Sequence, residues 1–157
     1  MLVKAALFFH IVAAILWIGG MLFISLIIAP FLLTMPDPKE RSKIYQVVGK
    51  KYRLWGWAAI ITLLVTGPVI LFNFYGVYPQ AVFSHAFNST PVGRALTIKL
   101  TLVAIIVISS FVHDFWLGPK ARNSPHFSLI AKIFGRSNLI VALFIVIFAV
   151  ILRAGGF

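Results

Sequence analysis

The chain has 157 residues, 61% of them hydrophobic and 11% charged, with a mean hydropathy of +1.03. Soluble domains carry about 25% charged residues, so a water-soluble fold could not hide this much apolar surface and the bilayer is the expected solvent. Fourteen Lys and Arg against three acidic residues leave a formal net charge of +11. These cations sit between apolar runs, not on one soluble face, which argues against nucleic acid as a partner.

The pattern predicts an all-α polytopic membrane protein, a bundle of four transmembrane helices in a single domain spanning residues 1–157. The first span covers about 3–33. It is longer than the ~20 residues that cross a bilayer, so it should tilt or protrude at its Pro30 end. It is too long for a cleavable signal peptide, and no small-residue cleavage site follows. Residues 34–53 are polar and basic. Pro36 and Pro38 break the first helix, and residues 40–52 are expected to lie as a basic helix at the interface. The second span covers about 54–74, with Thr66-Gly67-Pro68 as a kink. Residues 75–94 form an aromatic loop that carries no charge before Arg94 and suits a membrane surface. The third span covers about 95–117. Residues 118–137 begin "GPKARNSPHF", a helix stop followed by an interfacial approach to the fourth span, about 138–152. No internal repeat or low-complexity tract interrupts this order.

Lysine and arginine set the orientation. Lys39, Arg41, Lys43, Lys50, Lys51, Arg53, Lys120, Arg122, Lys132 and Arg136 fall on one side, ten in all. Lys4, Arg94, Lys99 and Arg153 fall on the other. The positive-inside rule puts the ten in the cytoplasm. Both termini and the 75–94 loop are then expected outside a cell inner (cytoplasmic) membrane, in contact with lipid.

The chain has no cysteine, which removes disulfides, thiolate metal sites and cysteine catalysis. The candidate chemistry lies in the few ionisable groups within the apolar runs. His10 is roughly 9 Å into the first helix. Ala6, Ala13, Ala14, Trp17 and Met21 share its face, and the alanines leave space beside the imidazole for a flat macrocycle. The structural reading is a histidine hydrogen-bonded to a nearby carbonyl or hydroxyl. The functional reading is a ligand or proton-transfer group, since ionisable residues within a span are costly and usually functional.

Lys99 lies roughly 7.5 Å into the third span, at a depth similar to His10 because the two helices run in the same direction. It either snorkels to the interface or faces the bundle interior, where a neutral amine offers a lone pair to a metal. His113 follows it by about 21 Å along the helix, nearly on the same face as Ala95, Val103, Ile106 and Ser110. Adjacent residues on a helix diverge by about 100°, so Asp114 need not touch it. His113 belongs either to an inner polar cluster near Arg53, Trp55 and Trp57 or to a second cofactor site. His85, between Phe83 and Phe87, is either a loop histidine or a second ligand folding over the outer end. His126 is assigned no role.

Copper(I) prefers thiolate and thioether ligands, and this chain offers no Cys and only three Met. Imidazole plus a second nitrogen between parallel helices with small neighbours suits haem b. Arg94, Lys99 and Arg153 supply outer-side cations for its propionates.

The stretch "HIVAAILWIGGMLFISLIIAP" resembles the first helix of copper-resistance D (CopD) domains, through His10, Trp17, Gly19, Gly20 and Pro30. "LLVTGPVIL" and "GRALTIKLTLVAIIVISSFVHDF" resemble the helices that follow, and together the likeness runs from the first helix to Pro119. The layout is also similar to the HemJ-type protoporphyrinogen oxidases, small four-helix membrane proteins holding b-type haem. That resemblance implies a functional pair at His10 and Lys99, with the later third-helix histidine at His113.

These features imply a haem-b-binding redox protein of the CopD/HemJ-like type. His10 would be a metal ligand, with Lys99 or His85 as the second, and Trp17, Arg94 and His113 would be cofactor contacts. It would transfer electrons near the outer face with a quinone or a periplasmic carrier. If it catalyses a reaction, it is a membrane oxidoreductase. Alternatives are a HemJ-type protoporphyrinogen oxidase, a copper permease, and a structural subunit packing through Gly19 and Gly20. Homo-oligomerisation is a further expectation.

Overall fold

A computed structural model describes residues 1–121 and 124–157. Arg122, counted above among the inner cations, lies outside the described residues. Four long helices carry the chain: α1 (Leu2–Leu33), α2 (Pro38–Asn73), α5 (Pro91–Ala121) and α6 (Pro125–Arg153). Two short ones, α3 (Pro79–Val82) and α4 (His85–Asn88), lie between α2 and α5. There is no strand among the described residues. Each long helix is apolar and long enough to cross a membrane, in agreement with the four expected spans. At 1.5 Å per residue, the 36 residues of α2 extend roughly 54 Å, well beyond a ~30 Å hydrocarbon layer.

The helix starts differ from the expected ones, and local chemistry accounts for it. The second helix begins at Pro38, not near residue 54. Asp37 caps it, its carboxylate accepting from the Lys39 amide at 2.8 Å, and proline suits the first helical position because its missing N–H would be unpaired there anyway. The basic stretch is therefore the first half of α2 and not a separate interfacial helix. Thr90 caps α5 through the Gly93 amide at 3.0 Å, ahead of Pro91. The last helix opens at Pro125, so the expected interfacial approach is its own first turns. The helix also runs through Gly118-Pro119 to Ala121, where a stop was expected.

Two wide π-helical turns interrupt the ladder, at Ile24–Ile28 in α1 and Val112–Leu117 in α5. Each ends two residues before a proline, Pro30 and Pro119. Proline lacks an N–H and its ring crowds the carbonyl four residues back. A widened turn relieves that conflict without breaking the helix.

The chain forms two compact units, Met1–Gly76 and Val77–Phe157. The first is an antiparallel hairpin of α1 on α2. Ala6, Ala13 and Trp17 are buried from α1, and Gly56, Ala59, Ile60 and Thr66 from α2. Small residues at this seam bring the backbones close, as membrane helix pairs require. The second is a hairpin of α5 on α6, sealed by Ala95, Ile106, Ser110 and Leu117 against Asn138, Ala142, Ile145 and Leu152. The opposite faces expose large apolar residues such as Phe8, Ile15, Ile108 and Val150, a surface suited to lipid.

Candidate functional site

In the first unit, His10 lies half-buried on the α1 stripe that holds Ala6, Ala13 and Trp17. That is the face expected from its helical spacing. The space beside the imidazole is occupied in part by α2. His10 Nδ1 is 2.8 Å from Thr66 Oγ1, and His10 Cε1 is 3.6 Å from where a side chain on Gly67 would begin. Thr66 is itself buried and donates to the Thr62 carbonyl at 2.6 Å. The Ser/Thr habit of bonding back to the i−4 carbonyl thus places a hydroxyl oxygen against the ring.

Two turns further along α1, Trp17 is 7% exposed and packs toward Gly56 on α2. Its carbonyl accepts the Tyr52 hydroxyl at 2.6 Å. The Tyr52 ring lies where a Gly20 side chain would be, whereas within the α1–α2 unit nothing comes within 4 Å of where a Gly19 side chain would begin. Of the two glycines, Gly20 is the packing residue of this hairpin. Between these levels, Phe9, Val12, Ala13, Leu16, Trp55, Ala58, Ala59 and Thr62 line a shallow apolar groove of about 160 Å³.

The second unit holds the other candidates. Lys99 is half-buried on α5. It is four residues from Ala95 (0% exposed) and seven from Ile106 (1% exposed), so it sits on the buried stripe of the helix. Arg94 is exposed, and its guanidinium donates to the Phe157 carbonyl at 2.7 Å and to the Ser89 carbonyl at 3.4 Å. His85 is exposed and opens the short helix α4, which Ser84 caps. His126 is exposed beside Phe127.

His113 lies in the π-turn of α5, with Nδ1 2.8 Å from Asp114 Oδ1. The two adjacent residues do meet, contrary to the divergence expected of regular helix. His113 Nε2 is 3.8 Å from where a Gly135 side chain would begin on α6. One turn earlier, Ser109 Oγ bonds Asn138 Oδ1 at 2.5 Å, and Asn138 Nδ2 donates to Ser110 Oγ at 3.3 Å. The sequence reading did not single out Asn138, although an amide in the first residues of an expected span was a visible signal. It also did not assign Thr66 or Tyr52 to the partners they hold.

Among the described residues, no three His, Cys, Asp or Glu side chains come together as a metal site.

Helix length, apolar surface and small-residue seams define a multi-pass α-helical membrane protein. Residues 46–154 match the family described as Copper resistance protein D, CopD, and the chain belongs to that family. The match begins within the basic half of α2 and reaches the end of α6. It is displaced from the expected likeness, which began at the first helix and ended at Pro119. A relative from Aquifex aeolicus (strain VF5), described as an uncharacterized protein, is 35% identical over 150 residues, covering 95% of this chain and 94% of the relative. No solved structure matches the chain.

Proposed function

We propose that this CopD-family protein is a haem-b-binding redox protein of the cytoplasmic membrane, with His10 as an axial ligand. The observation that carries the reading is the His10–Thr66 hydrogen bond. Histidines that bind metal through one ring nitrogen almost always bond the other to a second group, which fixes ring and tautomer. His10 Nδ1 has such a partner at 2.8 Å. The second ligand is proposed from the sequence to be Lys99, with His85 as the alternative. Trp17 supports the α1–α2 seam on which His10 is mounted. Arg94 is a cation for a propionate, and His113 with Asp114 offers a separate histidine site.

A bound haem would supply one-electron chemistry. The chain's own contribution is to hold His10 in a fixed orientation within apolar helices. The ten-to-four distribution of cations supports termini outside the cytoplasm. A quinone or an outer-face electron carrier is the proposed redox partner, and a HemJ-type porphyrinogen oxidation is the enzymatic form of the same proposal.

Copper handling is a second reading, favoured by the family's description. The absence of cysteine and the presence of only three methionines weigh against a soft-ligand copper path. An absorption spectrum and metal analysis of the detergent-purified chain separate the two. A reducible Soret band with sharp α and β bands is expected. A colourless protein carrying stoichiometric copper would overturn the haem reading.

A further inference from the structure

The hydrogen-bond chain at His10 determines where its proton sits. Thr66 Oγ1 is 2.6 Å from the Thr62 carbonyl oxygen and 2.8 Å from His10 Nδ1. Two oxygens approach to 2.6 Å with a hydrogen between them, and a carbonyl has none to give. The Thr66 hydroxyl therefore donates its single hydrogen to Thr62. Only lone pairs of Oγ1 remain for His10, so the hydrogen in the 2.8 Å contact belongs to the imidazole. A neutral imidazole with its hydrogen on Nδ1 carries its lone pair on Nε2.

We propose that Thr66 is a positioning residue that locks His10 in the Nδ1–H tautomer and so makes Nε2 the ligating nitrogen. The haem reading above supplies the identity of the electrophile, while the location of the proton stands independently of it. Thr66 suits the task because it is itself 9% exposed and tied back to its own helix. Its hydroxyl cannot turn to donate to the ring without leaving the Thr62 carbonyl. The two-link chain thus transfers the rigidity of α2 to a side chain of α1.

The test uses the full chain, ¹⁵N-labelled at histidine, in detergent micelles with neutral imidazoles. The His10 signals are assigned by their loss in His10→Gln. Wild-type protein is expected to carry the His10 proton on Nδ1, and Thr66→Ser to keep it there. In protein carrying no haem, Thr66→Val is expected to move a large share of the proton to Nε2. In protein carrying haem, ligation itself holds the proton on Nδ1, and the readout becomes the midpoint potential. Thr66→Val should raise that potential and Thr66→Ser should restore it, because a bonded Nδ1–H makes the imidazole a stronger electron donor. A wild-type proton on Nε2 would overturn the proposal even if the valine variant fails to fold. So would a Thr66→Val protein unchanged in the readout that applies. A chain that never shows a haem spectrum would sink the proposed function and leave the tautomer result standing.

Discussion

The Tyr52 hydroxyl donates to the Trp17 carbonyl at 2.6 Å, and its ring fills the place of a Gly20 side chain. One glycine thus lets an aromatic ring lie against the helix that carries the candidate ligand. Gly20→Val should displace the ring and break the bond, destabilising the hairpin by about 1–3 kcal/mol. Gly19→Ala, with nothing against it in the α1–α2 hairpin, should stay within about 0.5 kcal/mol of wild type. Tyr52→Phe keeps the ring and removes the hydroxyl that holds the Trp17 carbonyl, and should cost about 0.5–1.5 kcal/mol. Unfolding titrations in mixed micelles measure all three, and equal losses at Gly19 and Gly20 would contradict this packing.

Asn138 bridges Ser109 and Ser110 at the α5–α6 seam. Polar bonds between membrane helices contribute on the order of 0.6 kcal/mol each. Asn138→Ala should therefore destabilise by roughly 1–2 kcal/mol, since it also leaves two hydroxyls seeking partners. A double-mutant cycle with Ser109→Ala checks this, and strict additivity would show that the two side chains do not interact.

The cation distribution predicts that the C-terminal residue Phe157 lies outside the cytoplasm. Fusions at that position to a periplasm-active enzyme should be active, and fusions to a cytoplasm-dependent fluorophore dark. The reverse pattern would invert the orientation.

Lys99 and His113 lie fourteen residues apart on α5, roughly 21 Å along the helix. They are expected to behave differently. His113→Ala should retain most of the haem, and loss near half would indicate a second haem. Lys99→Met should shift the spin state or the midpoint potential, because a thioether replaces an amine. An unchanged spectrum in Lys99→Met would mean that the lysine is not a ligand.

The apolar runs were enough to place four spans, and helical spacing was enough to put His10, Ala6, Ala13 and Trp17 on one face. The helix starts were harder, because hydropathy falls silent in polar stretches. The signal there is Asp37-Pro38, Thr90-Pro91 and Ser124-Pro125, a short polar residue at the N-cap position followed by proline each time, with Asp37 and Thr90 also making the side-chain cap bond. Hydropathy passes over it, whereas capping chemistry reads it directly. The π-turns have no signature of their own in the sequence, although the prolines that follow them do. The partner of His10 is 56 residues away and that of Trp17 is 35 away. No local pattern specifies such pairings, because they depend on the register of α1 against α2. The meeting of His113 with Asp114 was missed because regular α-helical spacing was assumed across a widened turn.

The central claim is that His10 binds haem, and the absorption spectrum of the purified His10→Ala protein tests it most directly. The substitution removes the imidazole that Thr66 orients, while the seam of Ala13, Trp17, Gly56 and Ala59 stays in place. The protein should remain folded and helical by circular dichroism and lack the Soret, α and β bands expected of the wild-type chain. A folded His10→Ala protein whose haem spectrum matches the wild type would contradict the assignment at its central residue.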